Sequence, residues 1–343
     1  MENRNRQVLL KRRPTGAPTA ADFEIAEGPV PDPEPGEVLV RGIYLSLDPY
    51  MRGRISAPRS YAKPVEVGAV IEGRVVGRVA RSRDPAFGEG DYVYGGYGLQ
   101  LYSAVPANGL LKLDPAEAPL STALGVLGMP GLTAYVGLSE IGRPQRGETV
   151  VVSAASGAVG AVVGQLAKRE GSRVIGIAGG ADKCRFVERE LGFECCIDHR
   201  AGDPSAALDQ FCPNGIDVYW ENVGGAVQQA VFPRLNDFGR MVMCGMVAEY
   251  NDVEPRPGPN LMTAVRKRLK IQGFIVSDQW QRFGEYRAMA APLVRSGVLK
   301  YREDIVEGLE AAPEAFIGLL QGRNFGKLLV KLGDDPTRST GLR

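Results

Sequence analysis

Histidine is nearly missing from this chain: His199 stands alone among 343 residues. Cysteine is sparse too. Its five copies, at positions 184, 195, 196, 212 and 244, form an odd set without paired spacing. That argues against a disulfide framework and fits a reducing compartment. Zinc catalysis needs His, Cys and carboxylate ligands converging on one ion. Residues 1–125 hold neither Cys nor His, and no C-x-x-C quartet occurs. Cys195 and Cys196 are adjacent on an expected strand, so their side chains face opposite ways. A zinc-centred mechanism is therefore not expected. Charge is not in excess either, with 41 Lys and Arg against 40 Asp and Glu. Nothing in bulk charge calls for nucleic acid or an anionic membrane. The first residues, "MENRNRQVLLKRRP", lack the apolar core of a signal peptide, which leads us to expect a cytoplasmic start.

The stretch from Thr149 to Ala167 is free of charge. It is nearly long enough to span a bilayer. It carries three glycines, however, and its pattern changes partway. "TVVVSAA" is β-branched, whereas Val159, Val162, Val163, Leu166 and Ala167 fall on one helical face. A strand, a glycine turn and a helix account for it better than a span.

What is present suits two domains. The composition is 44% hydrophobic and 24% charged, enough for a real core. The 44 glycines and 24 prolines cluster between apolar runs, as tight turns do. Strands are expected at 149–155, 173–179, 194–198, 216–222, 240–246 and 270–276. Helices are expected at 158–169, 182–191, 204–212, 225–236, 261–269 and 280–296. This alternation predicts an α/β, doubly wound parallel sheet over 127–299. The earlier segments, such as "GEVLVRGIYLSL" and "GAVIEGRVVGRVA", are short and β-rich. They predict a mostly antiparallel, barrel-like domain over 1–126. Residues 300–343, read as a helix and a final strand, are expected to return to it. The last residues, "DDPTRSTGLR", read as a loose tail.

In "AASGAVG", Ala154, Gly157 and Gly160 occupy the glycine positions of a dinucleotide fingerprint. Gly157 lets backbone approach a pyrophosphate, and Gly160 lets the helix press on the sheet. The context, a strand before and a helix after, is the one the fingerprint requires. NAD sites carry an acid about twenty residues further on. Here the second strand ends "IAGGADKCR", with Gly179 and Gly180 in place of an acid and Lys183 and Arg185 following. Room and cations together predict a 2′-phosphate, hence NADP(H). His199, after the third strand, either approaches the adenosine ribose or lies in a surface loop. Hydride transfer without a metal needs an activated acceptor, and a carbonyl conjugated to a carbon–carbon double bond qualifies.

"LSLDPYMRGR", "GMPGLTAY", "AASGAVG", "ENVGG", "CGMVAEYN", "GFIV" and "NFGKLLV" appear in order along nearly the whole chain. They resemble the zinc-independent medium-chain dehydrogenases/reductases. The likeness is to the group of leukotriene B4 12-hydroxydehydrogenase/15-oxoprostaglandin 13-reductase, plant double-bond reductases and bacterial curcumin reductase. That resemblance implies a GroES-like substrate domain (1–126 and 300–343) and a Rossmann NADP-binding domain (127–299), with the active site between them. It implies a homodimer and NADPH-dependent reduction of the double bond of α,β-unsaturated aldehydes and ketones. It implies that Gly157, Ala158 and Val159 line the pyrophosphate, and that Gly180 and Lys183 hold the 2′-phosphate. His199 stands where the family often has a tyrosine. Asn222, Cys244, Phe274 and Val276 would approach the cofactor from strand ends. Asn324 and Gly326 would reach it from the returning segment, and Met129 and Thr133 from the helix beside the nicotinamide. Tyr250, just after the fifth strand, is the catalytic candidate. Its phenol can bond the nicotinamide ribose or the substrate oxygen. Tyr50 is the substrate-binding candidate. The alternatives are an NADPH quinone oxidoreductase, an NADP-linked alcohol dehydrogenase and a non-catalytic NADPH-binding protein.

Overall fold

The computed structural model describes residues 4–57 and 60–338. The chain divides into two compact units. One comprises residues 1–124, 303–324 and 328–343, and the other comprises 125–302 with 325–327.

The second unit is built on a six-stranded parallel sheet. Across it the strands run Cys195–Asp198, Arg173–Ala178, Thr149–Ser153, Ile216–Glu221, Leu235–Met243 and Lys270–Gly273. In chain order this is 3-2-1-4-5-6, the doubly wound arrangement, with its switch point between the first and fourth strands. Thr149–Ser153 is buried at every position, as a strand covered on both faces must be. Helix Gly160–Arg169 buries residues 160–167. The ends differ from expectation in readable ways. The fourth helix stops at Val231, because Pro233 lies in the turn Phe232–Arg234 that follows. The strand after it therefore begins early, at Leu235, and ends at Met243. The edge strand stops at Gly273, and Val276–Arg282 forms a 3₁₀ stretch before helix Phe283–Arg295.

The first unit contains a seven-stranded sheet whose pairings about the central strand are antiparallel. Glu37–Ser46 pairs with Arg74–Ser82, Tyr102–Pro106 and Lys327–Lys331. Tyr92–Gly96, Leu111–Leu113 and Glu303–Glu307 complete it. A separate hairpin joins Arg4–Leu10 to Phe23–Pro29. Glu303–Glu307 was expected as helix; the helix begins only at Ala312 and ends at Leu320.

The tail is not loose as far as Arg338. Asp335 is buried. The Thr337 hydroxyl accepts the Leu120 N–H at 3.1 Å, and Arg338 bonds Ser121 and pairs with Glu303. Its last five residues, 339–343, lie outside the described set. Among the described residues, no helix is long and apolar enough to cross a membrane.

Candidate cofactor site

The parallel sheet directs the loops at the carboxyl ends of its strands to one edge of the unit, where open α/β sheets bind ligands. The first strand leaves through Ala154, which adopts φ 50°, a left-handed conformation that costs an L-residue about 1–2 kcal/mol. A glycine is the usual occupant there. The Gly157 N–H donates to the Ala154 carbonyl at 2.9 Å. A Cβ on Gly160 would fall 2.4 Å from that same carbonyl oxygen, so only glycine fits. The close approach at Gly160 is thus to the strand's exit. The glycine that lets the helix lie close to its neighbour is Gly164, whose Cβ would fall 1.8 Å from the Phe193 ring. Gly157, Ala158 and Val159 form the loop between strand and helix, beside first-turn N–H groups suited to an anion.

The second strand ends in Gly179 and Gly180. Gly180 has φ 103°, and a Cβ there would meet nothing within 4 Å. The Asp198 carboxylate, from the third strand, accepts the Gly180 N–H at 2.7 Å and the Arg200 N–H at 2.9 Å. The first of these bonds chiefly holds its pKa below the usual carboxylate range. His199 Nε2 and Arg200 Nε both lie 2.9 Å from where a Gly179 Cβ would stand. Partial desolvation, then Arg200, pull the exposed His199 below its ordinary pKa, with Lys183 adding in the same direction. Lys183, His199 and Arg200 therefore surround one glycine turn. Arg185 does not join them, since it pairs with Asp182. Arg200 was missed in the sequence, although "DHR" was its signal.

At the fourth strand's end sits a buried polar knot. Glu221 is fully buried. Its Oε1 accepts the N–H groups of Val223 at 2.7 Å and Gly224 at 3.0 Å, and shares the Ser153 hydroxyl hydrogen with the Trp220 carbonyl, each at 3.1 Å. Its Oε2 is buried without a hydrogen-bond partner. Burial pushes the carboxyl pKa up against these N–H bonds. Asn222 is fixed on three sides. Its N–H reaches Ser153 Oγ at 2.8 Å, its amide donates to the Ser153 carbonyl at 2.7 Å, and its Oδ1 accepts Trp220 Nε1 at 3.1 Å. The loop after the fifth strand is tied to the same place. Cys244 and Gly245 N–H groups donate to the Glu221 carbonyl, Val247 to that of Asn222, and Ala248 to that of Val223. The Cys244 thiol is pushed up to about 12 by burial. The Glu249 carboxylate accepts the Gly225 N–H at 2.8 Å. Tyr250 follows, and its hydroxyl lies over Gly245, 2.7 Å from where a Cβ would stand.

Phe274 meets Trp220 edge-on with centroids 6.0 Å apart. Both rings press on Gly137, at the end of helix Met129–Gly137. The Thr133 hydroxyl donates to the Met129 carbonyl at 2.8 Å, so its hydrogen is used within the helix. Gly326, at φ 89°, lets the chain pass the Arg302 carbonyl, which a Cβ would approach to 2.3 Å. The second unit thus gathers every candidate except two. Asn324 and Tyr50 belong to the first unit. There Tyr50 begins the short helix Met51–Arg54, and burial raises its phenol pKa above the ordinary value. The Arg54 guanidinium stands 5.7 Å from the Tyr50 ring and 4.8 Å from that of Tyr61. Among the described residues no group of three or more His, Cys, Asp or Glu could hold a metal ion.

Residues 6–113 match the pattern described as the N-terminal domain of oxidoreductase, and residues 158–294 that described as zinc-binding dehydrogenase. The zinc of that second description finds no fitting donor set among the described residues. The chain is 48% identical to the NADPH-dependent curcumin reductase of Escherichia coli, over 97% of this chain and 99% of that one. It is 42% identical to the 2-alkenal reductase (NADP(+)-dependent) of Nicotiana tabacum, over 95% and 97%. The crystal structure of CurA in complex with NADPH from Vibrio vulnificus superposes with a TM-score of 0.91 at 48% identity, covering 96% of this chain and 99% of that one.

Proposed function

The chain belongs to the medium-chain dehydrogenases/reductases, in the group of NADPH-dependent double-bond reductases, and from that premise we propose how its residues divide the work. It is an NADP(H)-dependent oxidoreductase that reduces the carbon–carbon double bond of α,β-unsaturated aldehydes and ketones. The observation that carries the assignment of roles is the glycine turn at Gly179–Gly180 ringed by Lys183, His199 and Arg200. The two cations Lys183 and Arg200, with the His199 imidazole beside them, fit a 2′-phosphate. Gly157, Ala158 and Val159 take the pyrophosphate, with Asn222, Cys244, Phe274, Val276, Met129, Thr133 and Gly326 toward the nicotinamide half. Asn324 and Tyr50, from the first unit, are assigned to cofactor and substrate respectively. Residues 1–126 and 300–343 are the substrate domain, and 127–299 the NADP-binding domain.

The hydride added at the substrate's β-carbon comes from bound NADPH. Negative charge then collects on the carbonyl oxygen of the substrate. The Tyr250 phenol donates a hydrogen bond to that oxygen, or orients a ribose hydroxyl that does. A preorganised donor of this kind is worth about 3–4 kcal/mol. The knot around Asn222 fixes the loop that carries Tyr250, so little reorganisation is left for the reaction itself.

We further propose a homodimer and a cytoplasmic site of action. The edge strand Lys270–Gly273 is exposed throughout, and Val253, Leu261, Met262 and Val265 lie exposed in the segment before it. Such an edge is one that a second copy can cover. All five cysteines are free, which suits a reducing compartment.

The test is NADPH oxidation by the purified protein with simple enals, long-chain enones and quinones in parallel, and NADH as control. Rapid enone reduction that prefers NADPH is expected. Turnover of quinones alone would overturn the substrate assignment, and NADPH binding without any turnover would favour a non-catalytic protein.

A further inference from the structure

Glu221 has no part in the chemistry above, yet it is the most deeply buried acid at the carboxyl edge of the sheet, at 0% exposure. One of its oxygens gathers three donors from three different positions: the Ser153 hydroxyl at the end of the first strand, and the Val223 and Gly224 N–H groups at the start of the next helix. Its own main-chain carbonyl takes two more, from Cys244 and Gly245. Ser153 in turn accepts the Asn222 N–H at 2.8 Å. Three separate segments thus meet at one residue: the exit toward the phosphate loop, the Asn222 turn, and the loop leading to Tyr250.

We propose that Glu221 is a positioning residue, whose single accepting oxygen presets Asn222 and the Tyr250 loop for the cofactor before it binds. The role is that of a hydrogen-bond acceptor, and the negative charge is incidental to it. All three donors converge on Oε1, while Oε2 has no partner. Glutamine therefore supplies all that is used. Its amide oxygen takes the place of Oε1. Its amide nitrogen takes the place of Oε2 and can donate toward the phenol oxygen of Tyr219, a neighbour that also faces Ser153. The titratable groups facing the carboxylate are the Tyr219 phenol and the Cys244 thiol. Methionine has similar bulk but no acceptor, and leaves the Val223, Gly224 and Ser153 donors unsatisfied in a dry site.

This rests on the NADPH reading, so the experiment reads both. NADPH affinity is measured by the change in its fluorescence on binding, and kcat and KM follow with an enone. Wild-type protein that binds no NADPH would defeat the functional reading itself. Given wild-type binding, Glu221→Gln is expected to keep affinity and kcat within about threefold, while Glu221→Met loses tenfold or more in NADPH affinity. A Glu221→Met protein that binds as wild type overturns the proposal, as does a Glu221→Gln protein impaired as much as Glu221→Met. Ser153→Ala is the second variant, useful where Glu221→Met does not fold. It removes one donor to Oε1 and the acceptor of the Asn222 N–H. A modestly lowered thermal midpoint is expected of it, with weakened NADPH binding measured well below that midpoint; unchanged binding contradicts the proposal.

Discussion

A methyl group at Gly245 tests the placement of Tyr250 without touching its chemistry. The Gly245 Cβ would stand 2.7 Å from the Tyr250 hydroxyl oxygen, where ordinary contact begins at 3.4 Å. The backbone itself accepts alanine, since Gly245 is not among the glycines with positive φ. The strain therefore falls on the phenol, which must retreat by about 0.7 Å. Misplacement on the order of 1 Å in a reacting constellation costs roughly a hundredfold. Gly245→Ala is thus expected to lower kcat with an enone by about ten- to a hundredfold, with NADPH affinity held within about threefold. Tyr250→Phe, which deletes a donor outright, should cost about 10²–10³ in kcat. The double variant carries the sharper logic. Once the hydroxyl is gone, the methyl has nothing to displace, so Gly245→Ala/Tyr250→Phe should be no slower than Tyr250→Phe alone. Steady-state kinetics with direct NADPH titration decides it. Wild-type kcat in Gly245→Ala, or two losses that simply multiply, would refute the placement.

Further outcomes follow from the same geometry. Lys183→Ala and Arg200→Ala should each raise KM for NADPH by about tenfold, the worth of one charge-assisted bond, and leave KM for NADH nearly unchanged; equal effects on both cofactors would remove them from the 2′-phosphate. His199 is held below its ordinary value of 6.5 in the free protein. Its neutral form contributes stability that is present above 6.5 and lost as pH falls through the folded value. A bound phosphate reverses the preference, so NADPH should bind more tightly as pH is lowered toward that window and His199→Asn should abolish the slope; isothermal titration at several pH values measures it. Gly164→Ala places a Cβ 1.8 Å from the Phe193 ring and should cost about 1–3 kcal/mol, seen as a lowered midpoint in thermal unfolding.

The parallel sheet was legible because each strand and each helix carries its own period, and connections between parallel strands need the helices that the text supplies. What was misread failed for local reasons. Glu303–Glu307, "EDIVE", was merged with the helix that follows because its short apolar core fits either period. The polar tail looked loose, yet Asp335, Thr337 and Arg338 are held by contacts to Leu120, Ser121 and Glu303 that lie far away in sequence. The cofactor candidates were found through motifs. Arg200 was not, because its relation to Gly179 arises only when the second and third strands pair in register. Glu221 looked like part of "ENVGG" and nothing more, since its donors come from Ser153 and from its own following turn.

The central claim is hydride addition to the β-carbon of a conjugated carbonyl, and one measurement addresses it directly. NADPH carrying deuterium at the transferable C4 position is turned over with an enone, and the product is read by NMR. The account predicts a saturated ketone with deuterium at the β-carbon. An allylic alcohol with deuterium on the former carbonyl carbon would contradict it.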